Sequence, residues 1–238
     1  MIPAETMQAS FPSTSPEGRL VALDAPDSPA AAGYRLLLAR LERIAAQRPL
    51  RVVAVTSSTR GEGRTTTAAN LALTAARDGH STVLVEADLR RPTLAKLLGL
   101  APRAGLAEVL DGSAELTQAI VRVGPLAVLT AGDVRDAAAA LRSPRIPAVV
   151  DALRAAHGYV ILDAPPAIAF AEGDRLVGAA DAAILVVRAG STPREVVRLA
   201  LDAIGERAVG IVLNGADASA TVQGRWLASD AVAVPASR

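Results

Sequence analysis

The sequence predicts an α/β protein: a doubly wound, mostly parallel sheet with helices on both faces. Three observations carry this. Short apolar runs recur at 52–55, 82–85, 126–129, 159–162, 183–187 and 210–213. They are apolar throughout rather than alternating, the pattern of strands buried on both faces. Stretches with helical spacing separate them, near 65–78, 92–99, 105–122, 144–157, 173–179 and 193–206, and alternation of the two types implies parallel strands joined by crossover helices.

In chain order, residues 1–27 are rich in Pro, Ser, Ala and acidic residues without periodicity, and are expected to form a flexible N-terminal tail. Leu36, Leu37, Leu41 and Ile44 are spaced for a helix over 30–47 that precedes the core. The first apolar run, Val52-Val53-Ala54-Val55, is β-branched and ends in a glycine-bearing turn. The remaining strands and helices follow as one domain over 28–217. Beyond Asn214 the pattern fades, and 218–238, with the lone Trp226, are expected to be weakly ordered. Tyr159 opens a strand and is read as packed. His80 and His157 flank strands and are read as turn residues that share no ligand cluster.

Composition removes several function classes. The chain has 238 residues, 51% hydrophobic and 21% charged, which suits one sizeable core and excludes wholesale disorder. Its formal net charge is +1 and its aromatic content 2%. Neither a general nucleic-acid-attracting field nor a base-stacking platform is expected. Without cysteine there is no disulfide framework, thiol nucleophile or Cys-ligated metal. No apolar run approaches the ~18 residues of a spanning helix, and the N-terminus lacks the basic and apolar regions of a signal peptide. The expectation is a cytoplasmic protein that reaches the inner face of the membrane only through a partner.

The turn after the first strand reads Ser57-Ser58-Thr59-Arg60-Gly61-Glu62-Gly63-Arg64-Thr65-Thr66. Gly61 and Gly63 allow the backbone to curl so that successive N–H groups point inward, and the helix that follows adds its N-terminal dipole, which favours phosphate. Ser58 through Thr66 are thus the candidate nucleotide-binding residues. Thr65 stands where a P-loop hydroxyl binds Mg²⁺, and Arg64 where the P-loop lysine belongs. Downstream, Glu86 and Asp88 lie at the end of one strand and Asp163 at the end of another. In a parallel sheet those ends face the ligand crevice. Thr65, Asp88 and Asp163 are the candidate Mg²⁺ set, and Arg64, Glu86, Asp88 and Asp163 the candidate catalytic set.

Together these motifs resemble the cytoplasmic ATPase domain of the bacterial tyrosine kinases of capsule and exopolysaccharide synthesis (BY-kinases), relatives of the MinD/ParA ATPases. The family's S-S-x-P-G-E-G-K-S-T-T-x-x-N-L-A is approximated by Ser57 to Ala72, its D-x-D-L-R-R-P by Glu86 to Pro92, and its I-I-D-T-P-P by Ile161 to Pro166. Gly105 to Gly112, Ala180 to Thr192 and Gly210 to Asn214 also match, so the resemblance spans roughly 28–217. It implies a P-loop fold, ATP or ADP with Mg²⁺, Asn214 near the nucleotide base, and a membrane-embedded polysaccharide chain-length regulator or co-polymerase as partner.

The departures are concentrated at the chemistry. Arg64 replaces the phosphate-contacting lysine, Glu86 and Glu172 stand for aspartates, and Arg60 replaces the loop proline. The family's ring-assembly motif E-x-x-R-x-x-R is reduced to Ala32, Arg35 and Leu38, which leaves at most a weak homo-oligomer. The family's C-terminal tyrosine cluster is missing; the two tyrosines are Tyr34 and Tyr159. Arginine is longer and planar and does not simply replace lysine, and losing one well-placed stabilising group costs ~10²–10³ in rate. The reading is a degenerate, pseudokinase-like regulator of polysaccharide synthesis. The alternatives are an active tyrosine kinase or ATPase of the same family, and a MinD/ParA-like positioning ATPase, whose signature lysine would fall at Thr59.

Overall fold

Strand formation follows the apolar runs closely. The computed structural model describes residues 8–9, 20–168 and 178–216. Among these, eight strands form one sheet: β1 (Gln8–Ala9), β2 (Val52–Ser57), β3 (Thr82–Glu86), β4 (Val121–Val123), β5 (Leu126–Leu129), β6 (Tyr159–Asp163), β7 (Ala182–Arg188) and β8 (Ala208–Asn214). Their order across the sheet is β1-β4-β5-β3-β6-β2-β7-β8. Every pairing is parallel except β4 with β5. The helices are α1 (Val21–Asp24), α2 (Pro29–Ala45), α3 (Arg64–Arg77), α4 (Leu94–Leu97), α5 (Leu106–Asp111), α6 (Leu116–Ala119), α7 (Ala137–Leu141), α8 (Ile146–Ala156) and α9 (Arg194–Ile204). The doubly wound fold expected from the sequence is the fold observed.

Because successive strand residues point to opposite faces, each buried strand feeds two cores. Ala54, Val83, Val85, Leu129, Leu162 and Leu185 face one side and pack with Leu110, Ile146 and Leu153. Val53, Val55, Leu84, Ile161 and Ile184 face the other, against Leu38, Leu41, Leu71 and Leu73. Helix α3 lies directly under the sheet and is buried from Thr67 to Ala76; α2 packs outside it. The Ser28 hydroxyl caps α2 by accepting the Ala31 N–H at 3.2 Å, and Pro29 occupies the first turn.

Two stretches differ from expectation. Residues 105–122 were expected as one helix and divide into α5, α6 and β4. Gly112 ends α5 in the left-handed region (φ 87°), and Val121 and Val123 are buried around exposed Arg122, a period-2 pattern. Gly124, at φ 57°, then turns the chain back so that Val123 pairs with Leu126. Part of the expected tail is also folded. Leu20 and Ala22 are buried in the α2–α3 core, the Ala22 N–H donates to Asn70 Oδ1 at 2.9 Å, and Arg77 Nη1 donates to the Ala22 carbonyl. The expected helix at 173–179 falls mostly outside the described residues, as do Glu172, Trp226 and 218–238.

Parallel pairing brings several strand ends to one edge. Glu86 of β3 is in register with Asp163 of β6, Ser57 of β2 with Val186 of β7, and Arg188 of β7 with Asn214 of β8. Central β2 sits between β6 and β7, so the crevice opens where its connection leaves the sheet.

Candidate functional site

The loop leaving β2 is shaped by its glycines. Gly61 and Gly63 lie at φ 80° and 90°, a region costly for residues with a Cβ. Gly63 caps α3, and its carbonyl accepts the Thr67 N–H at 2.8 Å. It is constrained a second way: a Cβ there would lie 2.0 Å from Asn214 Nδ2. Asn214 in turn donates from Nδ2 to the Glu62 carbonyl at 2.8 Å. The residue expected beside the base is therefore docked on the phosphate loop from the end of β8.

Glu62 is buried inside the loop. Its Oε2 accepts the Thr59 N–H at 2.8 Å and its Oε1 accepts the Thr192 hydroxyl. Thr56 Oγ1 donates to the Pro165 carbonyl at 2.7 Å, and Ser57 Oγ to the Thr59 carbonyl at 2.7 Å. Arg188 Nη1 reaches the Gly61 carbonyl at 3.5 Å. The Pro165 carbonyl beyond β6 and the Arg188, Thr192 and Asn214 side chains at or just past the ends of β7 and β8 thus hold the loop and its strand from outside. Thr192 and Arg188 were not singled out from sequence; their signal is only their position just past or at the end of β7. Thr59, Arg60 and Gly61 are exposed at the loop tip, Ser58 is buried, and Thr65 and Thr66 are half-buried at the first turn of α3. The Thr66 carbonyl accepts from Asn70 Nδ2 at 2.9 Å.

Arg64, at the start of α3, turns toward the carboxylates. Its Nη2 donates to Asp88 Oδ2 at 2.5 Å, its Nε to Asp163 Oδ1 at 3.1 Å, and its Nη1 to Ser57 Oγ at 3.4 Å. The three side chains are only 11%, 7% and 0% exposed, Arg64, Asp88 and Asp163 respectively. Burial pushes the Asp163 carboxyl up to about 6; the adjacent Arg64 guanidinium and the Thr65 hydroxyl pull the other way. The second oxygen of each acid, Asp88 Oδ1 and Asp163 Oδ2, is buried and meets no hydrogen-bond partner among the described residues.

Glu86 is put to a different use from the catalytic one expected. Its Oε1 accepts the N–H groups of Thr93 and Leu94, and its Oε2 accepts the Ala131 N–H at 3.0 Å. It joins the start of α4 and the end of β5 to β3. Burial raises its pKa, and the Leu94, Ala131 and Thr93 N–H groups oppose that rise. An aspartate, shorter by one methylene, does not span the same three donors.

Elsewhere, Tyr159 is buried, with the His80 ring edge-on at 5.1 Å. His80 is less isolated than expected. Its Nε2 lies 2.9 Å from Glu42 Oε1, and one ligand-type atom each of Glu42, Asp78 and His80 lie within 4.8 Å of one another. This group stands at the far end of α3 from the phosphate loop.

Hard oxygen donors such as Thr65, Asp88 and Asp163 are of the type that suits Mg²⁺. The arrangement does not suit it as folded, because the guanidinium is clamped on one oxygen of each acid.

No family model matches the chain. Over 202 residues it is 33% identical to tyrosine-protein kinase YwqD of Bacillus subtilis (strain 168), covering 82% of this chain and 85% of that protein. Over 215 residues it is 32% identical to the succinoglycan biosynthesis transport protein ExoP of Rhizobium meliloti (strain 1021), covering 86% of this chain and 27% of that one. Among solved structures, the kinase domain of Escherichia coli tyrosine kinase ETK superposes with a TM-score of 0.76 at 26% identity, over 82% of this chain and 79% of that chain.

Proposed function

The chain belongs to the bacterial tyrosine-protein kinases, and from that premise we propose that it is a nucleotide-binding member with little phosphoryl-transfer activity, acting as a regulatory module of polysaccharide synthesis. The observation that carries this reading is the Arg64 bridge between Asp88 and Asp163. Phosphoryl transfer works by placing charge beside the transferred group and keeping it there through the transition state. A guanidinium clamped between two buried carboxylates is fixed in place and has its charge offset by theirs, so it stabilises charge that develops in the transition state poorly even where it touches phosphate. Glu86, both of whose oxygens accept backbone N–H groups, is tied to α4 and the end of β5 rather than to the phosphate loop.

Binding asks less of the site. The curled loop through Gly61 and Gly63, with the N-terminus of α3, supplies backbone N–H donors for phosphate. Thr65 and Thr66 line its first turn. Thr59 and Arg60 form its rim above buried Ser58, and Asn214, Glu62 and Thr192 keep it in shape. ATP or ADP is the ligand this cradle fits.

The likeness to ExoP, named for succinoglycan biosynthesis and transport, supports a place in exopolysaccharide or capsule assembly. This chain spans about a quarter of that protein. No helix among the described residues is long and apolar enough to cross a membrane. We therefore assign it a membrane-embedded chain-length regulator as partner and the inner face of the membrane as its working place. Self-assembly through α2 is weak in this reading: Leu38 is buried against α3, and Arg35 Nη1 donates to the Pro26 carbonyl at 2.6 Å in the same chain.

The test is purified protein with labelled ATP and Mg²⁺. Retention of nucleotide with negligible hydrolysis and no phosphotyrosine is the expected result. Sustained hydrolysis abolished by Asp163→Ala would make the chain a working kinase or ATPase.

A further inference from the structure

Resting on that reading, we infer that Arg64 is an internal cation that takes the place of Mg²⁺, so that this chain binds nucleotide without a divalent metal. In P-loop proteins the metal links the carboxylates at the strand ends to the phosphate oxygens. Here that link has a covalently tethered candidate. Arg64 joins Asp88 at 2.5 Å and Asp163 at 3.1 Å, and steadies on Ser57 at 3.4 Å.

The guanidinium has five N–H donors in a planar fork. Three are engaged by Asp163, Ser57 and Asp88. Two remain for phosphate oxygens, and the residue stands at the first position of α3, beside the loop that cradles them. One planar group therefore contacts both acids and the bound phosphate. Lysine, a point charge with three donors, does not span both carboxylates in this fork geometry.

The same placement disfavours the metal. Mg²⁺ requires octahedral ligands at about 2.0–2.1 Å and usually retains several waters. The space between Asp88 and Asp163 where such an assembly would sit holds the guanidinium. Entry of a dication would also bring a like charge against a buried cation.

The experiment is titration of the full chain with ADP and with ATP by calorimetry, once with excess Mg²⁺ and once with EDTA, for wild type and Arg64→Lys. Thermal melts of both proteins confirm that each is folded. The expected result is wild-type affinity that changes by less than about threefold between the two buffers, and an Arg64→Lys protein that binds at least about tenfold tighter with Mg²⁺. Wild-type binding that disappears in EDTA overturns the inference while leaving nucleotide binding intact; it would assign Asp88 Oδ1 and Asp163 Oδ2 to a metal. Equal indifference to Mg²⁺ in both proteins overturns it too, since Arg64 would then not be the cause. No nucleotide binding in either buffer by the folded wild type removes both this inference and the function it rests on. The wild-type comparison decides alone if the variant fails to fold.

Discussion

The Leu94 backbone N–H meets Glu86 Oε1 at 2.5 Å, eight residues along the chain. This bond, with those from Thr93 and Ala131, makes Glu86 the joint between β3, α4 and the end of β5. Glu86→Asp is therefore expected to destabilise the protein rather than to repair a metal site. Leaving buried N–H groups unmet costs about 1–3 kcal/mol each, and urea denaturation should show a loss in that range. An unchanged midpoint would mean that the three donors find other partners.

Removing the guanidinium should be costlier. In Arg64→Ala, Asp88 and Asp163 remain buried without their cation, and breaking a buried ion pair from one side typically costs ~3–5 kcal/mol. Restoring the balance by Arg64→Ala with Asp163→Asn should recover part of that loss. A double-mutant cycle in chemical denaturation checks it, and simple additivity would show that the two groups do not interact.

At position 63 two penalties are separable. Gly63→Ala places a Cβ against the Asn214 amide and also holds alanine at φ 90°. Asn214→Ala removes the first penalty only. The combined variant is expected to regain some stability over Gly63→Ala and to stay about 1 kcal/mol or more below wild type from backbone strain. Nucleotide affinity should fall in all three. Full recovery in the combined variant would contradict the strained backbone.

The acidity of Asp163 gives a pH dependence of defined sign. Its folded value is about 6, raised from 3.8, so between those values the native state binds the proton and the unfolded state does not. Stability from this group falls as pH rises through that window and is lowest above about 6, where the buried charge is fully formed. Asp163→Asn should remove this slope from urea midpoints measured between pH 4 and 7 in EDTA. A slope that survives the substitution belongs to another group.

Much of the fold was legible because buried parallel strands and their crossover helices leave continuous signals: β2, β3, β5, β6, β7 and α3 lie within a few residues of where periodicity puts them. Strand β4 was hidden because three residues around exposed Arg122 carry too little pattern to separate from the helix before them. Docking of Leu20 and Ala22 was hidden because it depends on Asn70 and Arg77, distant in sequence. At the site, the types and order of residues were visible, and so was the arginine in the lysine's place. What the arginine does was not visible, nor was the structural use of Glu86. Both depend on which strand ends the sheet order places side by side.

Strand order also sets when the site comes into being. The phosphate loop is made before most of what holds it: its central strand has no neighbours until β6 and β7 follow, and Asn214 locks onto Glu62 across 152 residues of sequence. Non-local pairings of this kind are slow to form because long loops must close first. On the ribosome, then, the chain carries an open glycine loop and an unpaired central strand until β6 and β7 have been made. A polypeptide interrupted before β8 has the whole loop sequence and lacks the Asn214 lock on Glu62, so nucleotide retention doubles as a report that the last strand has arrived.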